Sequence, residues 1–288
     1  MPIAETSSPQ TQASHITPAR FAQGCSYSEF LANAKVNRDK FEHNYQNPVL
    51  TADDLAFFRR AAALPNGPRK LLAIAEAWCG DVYRELPTAV RIAEAAGMEL
   101  RIFLRDENPD IMDEFVSNGG KSRAIPVFVF YTEDMQYITH FTERSASAHA
   151  GLEVAKTEAR LKLNLPESAT FGNLQDPQRQ QFLQEVIARI QPFSDQWRRD
   201  AVKEIRELLS AALRFPARPV VYTIRGCDAC VKLLKKWDAE GLPYDERRVE
   251  TSQATLDEAR THGSLVPIVV WPDGRVEQGF GDSLGCFI

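Results

Sequence analysis

Two cysteines, Cys227 and Cys230, enclose only Asp228-Ala229 and lie where an apolar run over 220–224 gives way to a helical pattern over 227–240. This placement constrains the chain more than any other feature. A thiol at a helix N-terminus meets free backbone N–H groups and the positive end of the dipole, which favour its thiolate. A second thiol one turn further on can resolve the mixed disulfide that the first one forms. Cys227 is therefore the expected nucleophile and Cys230 the expected resolver, with Lys232, Lys235 and Lys236 adding positive charge to the same helix. Zinc is the rival for any such pair, but it needs further ligands at matching spacing. His262 and Cys286 are isolated candidates, so no metal is expected. Val266-Pro267 opens a later apolar run, and in this element order the proline reads as a cis-proline loop beside the thiol.

The elements around this pair read strand 220–224, helix 227–240, strand 244–249, helix 253–262, strand 267–271, turn and strand 275–278. A longer version of the same order precedes it. Capping boxes at Ser26 and Thr51 open helices expected over 26–41 and 51–63. An apolar strand at 71–75 leads through Trp78-Cys79-Gly80-Asp81 into a helix over 82–96. A strand at 100–104, a helix over 109–116, a strand opened by Ile125-Pro126 and a partner over 136–141 follow. The stretch 152–215 is mostly helical by periodicity, and Pro216-Ala217-Arg218-Pro219 is the best boundary signal. The expected architecture is α/β: two tandem folds of one topology, each a central mixed sheet flanked by helices, joined by a helical segment. The expected organisation is a disordered tail at 1–24, a first domain over 25–165, a helical connector over 166–217 and a second domain over 218–288.

These residues carry resemblances. Residues 219–288 resemble glutaredoxins in the Cys-x-x-Cys, in Val266-Pro267 and in Gly279-Phe280-Gly281-Asp282-Ser283. The resemblance implies a thioredoxin fold, dithiol exchange, glutathione as a co-substrate, and Asp282 and Ser283 as holders of its glutamyl end. It departs at Leu265, where glutaredoxins have Thr, and at Asp228-Ala229, which lacks their aromatic. Residues 25–165 resemble thioredoxins at Trp78-Cys79-Gly80, at Pro87 and at Ile125-Pro126. With Arg105-Asp106-Glu107-Asn108 they look closer still to a bacterial thioredoxin-like family bearing a Trp-Cys-Gly-Asp site. Val82 stands at the resolving position, so Cys79 reads either as a monothiol nucleophile or as the relic of one in a domain that docks a partner. Asp106, Glu107 and Asn108 are candidates to shape that site, and helix capping is the alternative for Asn108.

Composition narrows the function further. A length of 288 residues favours two domains over one. A net charge of −5 supplies no global basic field, so neither nucleic acid nor a membrane surface is an expected partner. No apolar run approaches the ~18 residues of a membrane span. Five sparse cysteines do not make a secreted disulfide framework and fit a reducing cytoplasm. Cys25 reads as a residue that packs or sits exposed, and Cys286 as a candidate third redox thiol. The expected activity is thiol–disulfide oxidoreduction of protein or glutathione mixed disulfides, with no bound cofactor. The expected partners are a disulfide-containing client and, as reductant, glutathione or a thioredoxin reductase. A redox-sensing adaptor and a glutathione-assisted iron–sulfur carrier are the alternatives.

Overall fold

The computed structural model describes residues 16–117, 119–120, 122–215, 218–281 and 285–288. Asp282 and Ser283, and the tail before Ile16, lie outside the described residues. The chain divides into two compact units, Met1–Leu208 and Leu209–Ile288.

The first unit begins with helices α1 (Pro18–Phe21), α2 (Tyr27–Asn33), α3 (Arg38–Gln46) and α4 (Ala52–Ala63). Strand β1 (Lys70–Ala75) leads into helix α5 (Gly80–Ala96), then β2 (Glu99–Leu104), α6 (Pro109–Met112), β3 (Val127–Tyr131) and β4 (Tyr137–Thr142). The sheet order is β2-β1-β3-β4, with β1 parallel to β2 and the other pairs antiparallel. Leu71 to Ala75 are fully buried, as a strand paired on both edges and covered on both faces requires. Three helices complete the unit or leave it: α7 (Ala146–Lys162), α8 (Gln178–Ile190) and α9 (Ser194–Ala212).

The second unit holds β5 (Val220–Thr223), α10 (Asp228–Glu240), β6 (Asp245–Arg248), α11 (Gln253–His262), β7 (Leu265–Val266), β8 (Ile268–Val270), β9 (Val276–Gln278) and β10 (Cys286–Phe287). Its four-stranded sheet runs β6-β5-β8-β9, with the same senses as the first: β5 parallel to β6, antiparallel to β8, and β8 antiparallel to β9. Alternate residues sort to opposite faces. Val220, Tyr222, Ile268 and Val270 join Ala259 of α11, whereas Val221 and Val269 meet Leu233 and Trp237 of α10. Each sheet is mixed and flanked by helices, and in the first unit this is consistent with a thioredoxin fold.

Three expectations change. The last residues of the expected tail are folded: Ile16 and Phe21 are buried, and Arg20 makes a two-pronged contact with Asp110 while lying over the Phe103 ring. The expected helix over 26–41 is two helices, because Asn37 takes a left-handed backbone (φ 58°) and its amide donates to the Ala77 carbonyl at 2.9 Å. The expected connector is part of the first unit as far as Leu208. Phe182 and Val186 of α8 pack with Ala155 and Ala159 of α7. Arg198 of α9 is 1% exposed and donates to the carbonyls of Asn44 and Asn47, each at 2.9 Å. Helical periodicity reports an apolar stripe without saying what covers it, so a packed helix and a spacer look alike in sequence.

Candidate active site

Cys227 is the N-cap of α10, as the strand-to-helix junction requires. Its sulfur accepts the Cys230 N–H at 3.4 Å, which satisfies one of the free donors of the first turn. The peptide bond between Val266 and Pro267 is cis. The Val266 carbonyl lies 3.7 Å from the Cys227 sulfur, within reach of a thiol donor. The structure thus brings together four expected site residues, Cys227, Cys230, Val266 and Pro267. Cys227 and Cys230 are both free thiols and both buried, at 0% and 2% exposure.

The two thiols are driven apart electrostatically. Burial works to raise the Cys227 thiol, but hydrogen bonds from the thiols of Cys230 and Cys286 and from the Cys230 and Ala229 N–H groups outweigh it and hold it below the ordinary range. Burial, and then the hydrogen bond it gives to Cys227, pushes the Cys230 thiol up to about 12. No lysine is among the main causes of the Cys227 shift. Lys236 leans over the Phe280 ring and toward Glu240 instead. Cys286 is the candidate third thiol. It stands on β10, opposite Val266 in an antiparallel pair with β7. Among the described residues, no group of three or more His, Cys, Asp or Glu side chains is placed to hold a metal ion.

The first unit repeats this arrangement in part, without a hydrogen bond to the N-cap side chain. Cys79 is the N-cap of α5, the peptide bond between Ile125 and Pro126 is cis, and the Cys79 thiol donates to the Ile125 carbonyl at 3.7 Å. Pro87 lies inside α5. The electrostatics differ. Burial raises the Cys79 thiol, the Val82 N–H opposes this, and the Asp81 carboxylate raises it further. Asp81 itself is gripped by Arg84 and Arg144. Trp78, beside this thiol, is 53% exposed and lies under the Arg105 guanidinium.

Of the remaining candidates, Asn108 occupies the N-cap position of α6 but does not cap it with its side chain. Its amide donates to the Leu104 carbonyl at 2.8 Å and accepts from Arg20 at 2.7 Å. The Asp106 N–H donates to Glu76, which sits at the end of β1. The Cys25 backbone bridges Ile102 in both directions, so this residue extends the sheet edge beside β2.

Residues 24–158 match the family model Thioredoxin_9, described as Thioredoxin. That match supports a place for this segment in the thioredoxin-like superfamily. No curated protein matches the chain. Among solved structures, a protein of unknown function from Pseudomonas aeruginosa is 15% identical, with a TM-score of 0.42 over 69% of this chain and 97% of that one. An HIV epitope-scaffold is also 15% identical, with a TM-score of 0.41 over 70% of this chain and 99% of that one. Among the described residues, no helix is long and apolar enough to cross a membrane.

Proposed function

We propose that the chain is a thiol–disulfide oxidoreductase built from two tandem thioredoxin folds, the second of them glutaredoxin-like, with its chemistry at Cys227 and Cys230. The observation that carries this reading is the capping of α10 by the Cys227 sulfur, 3.4 Å from the Cys230 N–H, in a protein where the two thiols are held on opposite sides of the ordinary range. The Cys227 thiolate attacks one sulfur of a client disulfide. A new S–S bond forms to Cys227, and the other client sulfur leaves with the electron pair and takes a proton. Cys230 then loses its proton and attacks the Cys227 sulfur, which releases the second client thiol and closes the Cys227–Cys230 disulfide. The high position of the Cys230 thiol keeps it protonated until Cys227 has lost its negative charge in the adduct.

The client is a disulfide-containing protein or a glutathione mixed disulfide. Glutathione or a thioredoxin reductase returns the dithiol, in a reducing cytoplasm. Val266 and Pro267 supply a backbone edge for an extended client, and Ile125 and Pro126 do so at the first site. Asp282 and Ser283 are assigned to the glutamyl end of glutathione by resemblance alone. The first unit reads better as a docking module than as a second catalyst, because Cys79 is raised rather than lowered and an exposed Trp78 stands beside it.

The test is turnover of an insulin-type disulfide with either reductant. Cys227→Ser is expected to abolish reduction, and Cys79→Ser to leave it measurable. Unchanged turnover in Cys227→Ser overturns the assignment.

A further inference from the structure

Strand β10 covers the site just described. Its two residues pair antiparallel with β7, Cys286 opposite Val266 and Phe287 opposite Leu265, and the Ile288 N–H donates to the Ser264 carbonyl at 3.0 Å. Val266 is the residue whose carbonyl lies 3.7 Å from the Cys227 sulfur. The backbone edge available to an extended client is therefore filled by a segment of the chain itself. Cys286 and Ile288 turn inward against the cluster that holds Cys227, Cys230 and Val266, while Phe287 is 81% exposed. Cys286 thereby packs directly against the buried group that contains the Cys227 and Cys230 sulfurs.

A second observation shows that the contact is built. Gly285 has φ +72°, and a Cβ placed on it falls 2.2 Å from the Val266 carbonyl oxygen. A residue with a side chain cannot bring β10 this close to β7.

We propose that Cys286 is a third redox thiol of this site, presented by a strand that occupies the client's edge, so that Cys227 exchanges its disulfide between Cys230 and Cys286. The inference rests on the dithiol reading of Cys227 and Cys230. In the exchange, the Cys286 thiolate attacks the Cys227 sulfur of the Cys227–Cys230 disulfide. An S–S bond forms between Cys227 and Cys286. The bond to Cys230 breaks, its electron pair stays on the Cys230 sulfur, and that sulfur takes up the proton Cys286 gave. One disulfide and one thiol enter, one of each leaves, and no outside oxidant is needed for this step. The client disulfide that first oxidised the pair supplies the two-electron change. A strand of two residues is held by few bonds, so it is among the segments that open most readily. Its release exposes Val266 and Cys227 to the next client.

The experiment maps disulfides in the full chain after limited oxidation by diamide, followed by acid quenching, alkylation and trypsin. Cleavage after Arg225, Lys232 and Arg275 puts Cys227 and Cys230 together in peptide 226–232 and Cys286 in peptide 276–288. The expected result is both an internally bridged peptide 226–232 and a 226–232/276–288 crosslink. Cys230→Ser should retain the crosslink, which assigns it to Cys227. Gly285→Ala should lower the crosslink about tenfold and keep the internal bridge, because the strand no longer seats. An internal bridge with Cys286 fully alkylated, in wild type and with Cys286 equally free in Cys230→Ser, overturns the inference and leaves the dithiol reading standing. Absence of both the bridge and the crosslink overturns the dithiol reading itself.

Discussion

Cys227 and Cys79 occupy the same position in equivalent junctions, yet their thiols are shifted in opposite directions. The difference lies in what each sulfur receives. The Cys227 sulfur caps its helix by accepting the Cys230 N–H, and neighbouring thiols lower it further, whereas the Cys79 side chain makes no such cap and has a carboxylate two residues on that raises it. A thiol at a helix start is thus not activated by position alone. The same neighbourhood contains a buried acid. Burial pushes Glu85 of α5 up to about 7, and Asp81 adds to the rise, while the Arg84 guanidinium, 2.8 Å away, opposes it. From pH 4.5 to about 7 the folded chain keeps a proton on Glu85 that the unfolded chain releases. Glu85 therefore stabilises the fold fully below pH 4.5, and this contribution is lost as pH rises through about 7. A shift of this size is worth on the order of 3 kcal/mol. Urea midpoints at pH 4.5 and pH 8 should show wild type losing stability with rising pH relative to Glu85→Gln. Equal pH dependence in the two proteins contradicts the assignment.

The element scale separates what periodicity and spacing reveal from what packing decides. Helix α11 lies over the residues its pattern predicts, and α4 begins at the capping box of Thr51, because both signals are local. The Cys-x-x-Cys junction was legible for the same reason. The pairing of β7 with β10 was not, since two strands of two residues have no period to read and the partners lie twenty residues apart along the chain. The docking of α9 was hidden as well: its apolar stripe was visible, but the burial of Arg198 against two carbonyls at the C-terminal end of α3 was not. Those carbonyls lose a charged donor in Arg198→Met, which is expected to cost about 3 kcal/mol in urea unfolding. A loss under about 0.5 kcal/mol would mean that the contact is incidental. At the start of α5, Val82 is fully buried and holds the position that Cys230 holds in α10, although the Cys79 side chain accepts no capping hydrogen bond there. Val82→Cys should therefore give a second closable disulfide, seen as the loss of two alkylatable thiols under mild oxidation. Two thiols that stay free would show that Gly80-Asp81 holds the pair apart.

For the whole molecule, the recurrence of one strand order and of one cysteine–proline geometry in both units was readable from element order, with little sequence identity to support it. The opposite shifts of the two N-cap thiols were not readable, because they turn on what surrounds each sulfur, including a carboxylate held by Arg84 and Arg144. The central claim is that client disulfides are attacked at Cys227. Its most direct measurement removes both thiols that can resolve the adduct, in Cys230→Ser/Cys286→Ser, and identifies by mass spectrometry which cysteine captures an insulin-type disulfide. The account predicts a stable mixed disulfide on Cys227, with Cys79 unmodified on the same timescale. An adduct that forms on Cys79, with Cys227 left as a free thiol, would contradict it.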